Sequence, residues 1–466
     1  MGEVRLTWAD VAAATGGALD AADAQQEVGG ISIDSRTLAA GDLFVAIRGD
    51  RFDGHRFVEQ AFTRGASGAL IDGQGAAAIG GRHPFIRVAD TTRALQDMAR
   101  EVRRRVGATV VAITGSAGKT TTKEIAASFL EARYRVYRNR GNLNNHIGLP
   151  LSLLDLRSGP EVAVVELGMN HAGEIRTLVG IAEPDIRVWT NVGDAHMGFF
   201  ESADAIADAK AEILEQAGAD DVLVANADDA RIAGRRGAFA GRVVTFGIDE
   251  PADVRAAAVV RRGLAGTAAR VTTPAGAFDL ETPLLGLGNL ANVLAATAVA
   301  VELEVPVDAI AAAAMALRAA PRRGEVIRLP GGLTLIDDSY NSSPAALHRA
   351  LEAVASATGS ARKVAVLGEM LELGVHATRL HDACGAAAAA AGLQLLVTVG
   401  GEAARVMAAA AVRAGMPVAC VIHAGTSAEA AEIAAARTRP GDLVLVKGSR
   451  GVGTDAVVDR LQVEFA

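Results

Sequence analysis

A chain of 466 residues, half of them hydrophobic, has room for about three domains with substantial cores. Its 46 basic and 54 acidic residues give a net charge of −8 and only 4% of residues are aromatic, a balance that argues against a nucleic-acid partner held by phosphate neutralisation or base stacking. Two distant cysteines, Cys384 and Cys420, suit a reducing cytoplasm better than a disulfide framework or a zinc site. No run of about 18 apolar residues and no apolar signal core near Met1 points to membrane insertion.

Residues 1–106 read as a small α/β unit with short apolar strands such as Leu43-Phe44-Val45-Ala46-Ile47. A helix over 92–106 follows, with Arg103-Arg104-Arg105 as a solvated face. From 107 to 318, apolar strands at 161–167, 186–190 and 221–225 alternate with amphipathic helices, the pattern of a mostly parallel sheet covered on both faces. Ala319-Ala320-Pro321-Arg322-Arg323-Gly324 interrupts that pattern. Residues 319–466 then repeat strand–helix units, with strands at 363–368, 393–400, 417–422 and 442–447. The expected fold is α/β in three domains: a small N-terminal α/β domain, a central P-loop ATPase domain and a C-terminal Rossmann-like domain. No G-x-G-x-x-G follows the first strand of the last domain, so NAD is not expected there. The Ala-rich tracts at 308–317 and 386–391 read as buried or half-buried helices.

The strand Val110-Val111-Ala112-Ile113 runs into Thr114-Gly115-Ser116-Ala117-Gly118-Lys119-Thr120-Thr121-Thr122, the most informative stretch of the chain. Small residues let backbone N–H groups of Gly115 to Thr121 close around phosphate oxygens, and the helix that follows adds its N-terminal partial positive charge. Lys119 would reach the terminal phosphates and Thr120 would offer a hydroxyl to Mg²⁺. With Ile113 where the longer P-loop carries glycine, the motif is the shorter T-G-x-x-G-K-T form. Glu166 ends one apolar strand and His196 lies in Thr190-Asn191-Val192-Gly193-Asp194-Ala195-His196 after another. With Thr120 they form an oxygen-rich set suited to Mg²⁺. Lys210, between Asp208 and Glu212 on a helical pattern, reads from the residues alone as a surface lysine. Amides at Asn142, Asn144 and Asn145 can cap a helix or bind an uncharged polar ligand. Asp337-Asp338-Ser339-Tyr340-Asn341 and Lys447-Gly448-Ser449-Arg450 each follow a strand, and could clamp a ribose, phosphate or carboxylate; the second also reads as a plain glycine turn. Asn226-Ala227-Asp228-Asp229 lacks the lysine of a guanine-specifying N-K-x-D.

In this order the pieces resemble the Mur ligases, ATP-dependent amide-forming enzymes of peptidoglycan precursor synthesis. Asp34-Ser35-Arg36, Gly41 to Ala46 and Asp53-Gly54-His55 add to the likeness, which runs over nearly the whole chain. Asp337 to Asn341 and Leu367 to Gly374 are similar to the branch that attaches D-alanyl-D-alanine to UDP-N-acetylmuramoyl-tripeptide, and no D-N-P-R motif of the diaminopimelate- or lysine-adding relative is present. The resemblance implies a monomeric cytoplasmic enzyme with ATP and two Mg²⁺, held by Lys119, Thr120, Glu166, His196 and a carbamylated Lys210. It assigns Asn289, Asn292, Arg323 and Asp338 to the nucleotide. Ser35, Arg36, Asp53, Gly54, His55, Asn144, Asn145, Tyr340, Asn341 and Lys447 go to the substrates. Three departures stand out: Gly288 replaces the histidine of a His-Asn-x-x-Asn adenine motif, Asn341-Ser342-Ser343-Pro344 replaces Asn-Ala-Asn-Pro, and Gly451 to Thr454 replaces a Met-containing helix start. A ligase for another acceptor, such as a folylpolyglutamate synthase, and a nonligating P-loop protein are the alternatives.

Overall fold

The computed structural model describes residues 3–20, 23–49, 52–75, 83–194 and 197–466. The first domain is a five-stranded sheet in the order Ala18–Asp20, Phe85–Arg87, Gly68–Ile71, Leu43–Val45, Ile31–Ser32, parallel except at its first pair. Successive side chains of a strand point to opposite faces. Accordingly Phe44, Ala69, Ile71 and Phe85 fill one core, whereas Leu43, Val45, Leu70 and Ile86 fill another.

The helix Thr91–Val106 carries the chain out of this domain. Asp90 caps its start by accepting from the N–H groups of Thr92 and Arg93, and Gly107 ends it in the left-handed region at φ 66°. Leu95, Met98, Ala99 and Val102 recur at helical spacing and are fully buried. Arg103 departs from the solvated face expected for 103–105. It sits on the buried side and donates to the carbonyls of Ala182 (3.0 Å) and Glu183 (2.9 Å) and to the Asp185 carboxylate (2.7 Å). It thereby supplies donors for the otherwise unpaired carbonyls at the end of helix Glu174–Ala182. Asp185 also accepts from the Val110 N–H at 2.7 Å, so the contact is tied to the first residues of the phosphate-loop strand.

The central sheet has nine strands, in the order Gly276–Thr282, Thr267–Thr273, Val254–Arg261, Arg242–Gly247, Val222–Asn226, Ile186–Trp189, Thr109–Thr114, Val162–Glu166, Val136–Arg138. From Val254–Arg261 to Val136–Arg138 every neighbour is parallel. Val110 and Ala112 face one core, Val111 and Ile113 the other, as expected of strands covered on both faces. The antiparallel hairpin Thr267–Thr273/Gly276–Thr282 at the far edge was not legible as such, since the strand–helix alternation read over this region predicts only crossovers. Its local signal is the Pro274-Ala275-Gly276 turn, with Gly276 at φ 129°.

The third sheet runs Glu325–Arg328, Thr334–Asp338, Asp442–Lys447, Arg362–Gly368, Leu395–Val399, Val421–Ala424, parallel beyond its first strand. The strand expected at 417–422 instead starts at Val421: Pro417 opens a single 3₁₀ turn over Val418–Cys420, and Val418 is exposed. The ends of Thr334–Asp338 and Asp442–Lys447 line the same cleft as the end of Val162–Glu166 and the loop that follows Thr109–Thr114. On one side of that cleft the domains touch: the Gly198 N–H donates to the Glu372 carbonyl at 2.7 Å, and a Cβ on Gly374 would lie 2.8 Å from the Gly198 Cα.

Arg103→Met keeps the aliphatic packing but strips three acceptors of their donor. It should lower stability by about 2 kcal/mol, the scale of lost charge-assisted hydrogen bonds. Chemical denaturation followed by fluorescence checks this, and an unchanged midpoint would remove Arg103 from the account of how helix Thr91–Val106 is fixed.

Candidate active site

The phosphate loop connects strand Thr109–Thr114 to helix Lys119–Leu130, and its two glycines are required by position as well as by conformation. Gly115 (φ 152°) packs so closely on Thr190 that a Cβ would come within 2.0 Å of its hydroxyl, and a Cβ on Gly118 (φ 81°) would meet the Asn292 amide at 2.3 Å. The neighbouring strand end locks the loop. The Asn191 amide accepts from the Ala117 N–H and donates to its carbonyl, both at 2.9 Å. The Ser116 hydroxyl donates to the Gly193 carbonyl at 3.1 Å and accepts from the Gly193 N–H at 2.9 Å. Lys119 is turned onto its own loop, donating to the Gly115 carbonyl at 2.9 Å.

Glu166 organises the floor of the cleft. One carboxylate oxygen accepts from the Thr120 hydroxyl and the other from the Asn144 amide, each at 2.7 Å. Its N–H donates to the Asn139 side chain at 3.1 Å, and the Asn139 carbonyl in turn accepts from the buried Lys123 ammonium at 2.6 Å. Lys123 and Asn139 are not among the residues that the sequence motifs assign to the site. The available signal was the spacing of Lys123 from Lys119, four residues on and hence on the same helix face. Asn145 takes the capping option, accepting from the N–H groups of Ile147 and Gly148 at the start of helix Gly148–Leu154.

Lys210 corrects the surface reading drawn from its neighbours. Helix Ala203–Ala211 turns Ile206, Ala207 and Lys210 inward, and Lys210 is 1% exposed. Asp208 pairs outward with Arg235, and Glu212 accepts from the N–H groups of Gly173 and Arg176. Among the described residues the Lys210 ammonium has no hydrogen bond or ion pair. Burial pushes it well below the usual lysine range, the Lys119 charge adds to the push, and Glu166 opposes it. Lys119 is lowered likewise, by burial first, with Glu166 opposing and Arg323 adding.

Across the cleft, the Lys447 ammonium donates to the Asp338 carboxylate at 2.6 Å and to the Asn341 carbonyl at 2.9 Å. The Arg323 guanidinium lies 4.0 Å from the centre of the Tyr340 ring, and that of Arg450 lies 5.5 Å from it. Asp337 points away, accepting from the N–H and hydroxyl of Ser339, and burial raises its carboxyl above the usual range. These groups and the phosphate loop enclose one cavity of about 730 Å³. It is lined by Ser116 to Thr121, Asn144, Asn145, Glu166, Asn289, Asn292, Arg323, Asp338, Tyr340, Asn341 and Lys447. Lys210 lies outside that lining, within electrostatic reach of Lys119 and Glu166, and His196 lies outside the described residues.

The expected first-domain residues do not line this cavity. Ser35 donates to Gln60 at 2.8 Å and Arg36 forms a two-pronged pair with Asp34. His55 donates through Nδ1 to Asp53 at 2.7 Å while its Nε2 accepts from the Asp72 N–H, and the bond from His55 holds the Asp53 carboxyl below its usual range. Gly54 is fixed by close backbone approach, its Cβ position being 2.7 Å from the Ile47 carbonyl.

Family profiles match in three blocks: the Mur ligase family catalytic domain over residues 27–103, the Mur ligase middle domain over 113–300 and the Mur ligase glutamate ligase domain over 322–450. The UDP-N-acetylmuramoyl-tripeptide–D-alanyl-D-alanine ligase of Bacillus subtilis (strain 168) is 34% identical over 437 residues, covering 94% of each chain. The chain belongs to the Mur ligase family. The ligase of the same name from Escherichia coli (strain K12) is also 34% identical, covering 93% of each chain. Among solved structures, MurF from Acinetobacter baumannii superposes with a TM-score of 0.89 at 31% identity, covering 99% of this chain and 100% of that one. MurF ligase from Thermotoga maritima in complex with ADP gives 0.82 at 29%, covering 94% and 98%. A folylpolyglutamate synthase from Mycobacterium tuberculosis, at 0.62 and 18% identity, shares the fold.

Asn191→Ala removes both contacts that fix Ala117 in the phosphate loop. A loss of two hydrogen bonds should weaken ADP binding about tenfold or more in calorimetry; unchanged affinity would mean the loop holds its shape without Asn191.

Proposed function

We propose that the chain joins D-alanyl-D-alanine to UDP-N-acetylmuramoyl-tripeptide, driven by ATP, in the cytoplasmic assembly of peptidoglycan precursors. The observation that carries this reading is the single cavity shared by the phosphate loop with Glu166 and by the Arg323, Asp338 and Lys447 group opposite, in a chain whose full-length relatives are ligases of that name. The reading takes the chain to act as a monomer. No described helix is long and apolar enough to cross a membrane.

A free carboxylate is a poor electrophile, so the terminal carboxylate of the tripeptide attacks the γ-phosphorus of ATP and ADP departs, leaving an acyl phosphate. The neutral amine of D-alanyl-D-alanine then attacks the acyl carbon. The tetrahedral intermediate expels phosphate and the nitrogen loses a proton, giving the amide. Lys119 swings from the Gly115 carbonyl to the terminal phosphate, and the N–H groups of Gly115 to Thr121 hold its oxygens. Asn289 and Asn292 flank the nucleoside, and Arg323 offsets phosphoryl charge from the opposite wall. Asp338, Tyr340, Asn341 and Lys447 seat the incoming dipeptide or the intermediate. Asn144 and Asn145 contact the peptide end of the UDP-linked substrate. Ser35, Arg36, Asp53, Gly54 and His55 belong to its UDP-sugar end in the first domain. Orienting reactants from three domains in one cleft can supply on the order of 7–11 kcal/mol of barrier reduction.

The residues fit Mg²⁺. The Thr120 hydroxyl and the Glu166 carboxylate, both hard oxygen donors, converge at 2.7 Å. The bound ions, two by this reading, would supply charge neutralisation for the phosphoryl oxygens, with Thr120, Glu166, His196 and carbamylated Lys210 as protein ligands. Burial favours the neutral amine of Lys210, which adds to the carbon of CO₂ and releases one proton, forming an anionic carbamate. Domain limits at 106/107 and 318/319 fall between the blocks matched by the family profiles.

Phosphate release should require both UDP-muramoyl-tripeptide and D-alanyl-D-alanine, with a product heavier than the tripeptide substrate by the dipeptide less water; release indifferent to the dipeptide would redirect the reading to another amine acceptor. Lys210→Ala should lower turnover by about two orders of magnitude or more, with partial recovery on adding a short carboxylate such as acetate. A fully active variant would return Lys210 to a packing role.

A further inference from the structure

Arg349 stands apart from the other basic residues of the cavity. It lies on helix Pro344–Ser356 of the third domain and lines the cavity wall facing helix Gly286–Glu302. Asp338 and Glu352 act on its guanidinium only through space, and it has no hydrogen bond or ion pair among the described residues. Burial lowers its pKa. Of the other cavity cations, Lys447 is paired with Asp338, Lys119 donates to its own loop, Arg323 lies over the Tyr340 ring and Arg450 donates to the Tyr340 hydroxyl. A half-buried cation left without a partner at a cavity wall is poised for a ligand.

The position of that wall indicates which part of the ligand. Gly118 of the phosphate loop packs on Asn292, and Gly288 lies four residues before Asn292 on the same helix face, about 6 Å farther along. At Gly288 the space a side chain would take is filled by Arg349: a Cβ built there lies 2.7 Å from its Cδ and 2.9 Å from its Nε. Phe246, Leu285, Ala346 and Ala350 also line the cavity, Leu285 three residues before Gly288 and the two alanines on the helix of Arg349. A nucleotide with its phosphates on the loop would extend past Asn292 toward Gly288 and Arg349, where a flat, largely apolar ring meets a planar guanidinium.

We propose that Arg349 is the nucleobase contact of this ligase, its guanidinium lying on the purine face in the space that Gly288 leaves free. A planar, delocalised cation stacks on a heteroaromatic ring without demanding a fixed hydrogen-bond pattern. Arg349 and a ring at position 288 are then mutually exclusive solutions to the same contact. The inference rests on the nucleotide reading of the cavity.

The test compares ADP with inorganic tripolyphosphate, each with Mg²⁺, by calorimetry on the full chain. Arg349→Met keeps the stem and removes the cation, so it should weaken ADP about tenfold and leave tripolyphosphate unchanged. Gly288→His alone should also weaken ADP through the clash with Arg349, and the double variant Gly288→His with Arg349→Met should bind ADP more tightly than either single one. Equal weakening of both ligands would make Arg349 a phosphate contact and overturn the proposal, as would no effect on either. A double variant no better than the singles would overturn the exchange between the two positions. A parent protein that bound neither ligand would overturn this inference and the ligase reading together, whereas ADP binding without ligase turnover would sink only the latter.

Discussion

Two half-buried or buried lysines, Lys119 and Lys210, lie within electrostatic reach of a single carboxylate, Glu166, whose two oxygens are already engaged by Thr120 and Asn144. Arg323 adds a further positive charge from the opposite wall. Without a ligand, this arrangement is stabilised only in part. The Lys119 ammonium borrows the carbonyl of its own loop, and Lys210 is driven toward the neutral amine. A polyanion with divalent cations relieves the imbalance, and an anionic carbamate on Lys210 would relieve it from within. The site is thus built around an excess of positive charge carried on buried and half-buried groups, where a developing negative charge is stabilised more than in bulk water.

That concentration of charge depends on parallel strands. Trp189, Thr114, Glu166 and Arg138 end four adjacent parallel strands of one sheet, so loops leaving the same edge bring Asn191, Lys119 and Asn144 around Glu166. The apolar bodies of those strands are buried on both faces and fix the register to a residue. Rigidity continues behind the site. Lys123 holds the Asn139 carbonyl, the Asn139 side chain holds the Glu166 backbone, and Asn191 holds both polar groups of Ala117. The phosphate loop is therefore shaped before any phosphate arrives, and little ordering cost remains for binding.

The sequence made the phosphate loop and the strand ends legible because their signals are local: apolar runs of strand length, glycines at a turn, and a lysine with hydroxyls opening a helix. Thr120 and Glu166 could be paired in advance because both follow strands of the same alternating pattern. Lys210 could not be assigned from its neighbours. Asp208 and Glu212 flank it along the chain, yet they point elsewhere, and its burial follows from how helix Ala203–Ala211 packs, a tertiary fact. Arg103 misled for the same reason, one arginine of three being turned inward to cap a helix from another segment. The hairpin at 267–282 was hidden by the assumption that strands continue to alternate with helices. The expected substrate residues of the first domain are present in ordered local networks, but their distance from the cavity could not be read from motif order.

The cleft is also a joint between domains, and its closeness is set by backbone rather than by long side chains. Gly198 and Gly374 approach each other with no room for a Cβ on Gly374, and the Gly198 N–H reaches the Glu372 carbonyl. A contact made of two glycines and one hydrogen bond is short and directional, so it fixes the geometry of the joint while the apolar packing beside it supplies the burial. Met370 and Leu373, just before that contact, belong to the same continuous core as Met197 and Ile206 of the central domain. The third domain therefore sets the Lys447–Asp338 pair and Arg323 opposite the charged floor with a patch of shared core beside them. An amide-forming enzyme needs a covered cleft: water must be excluded before an acyl phosphate forms, or hydrolysis competes with the amine. The physical link between the charge of the floor and the two-glycine contact of the rim is that the contact sets the third domain, with Arg323 and Lys447, opposite Lys119 and Glu166.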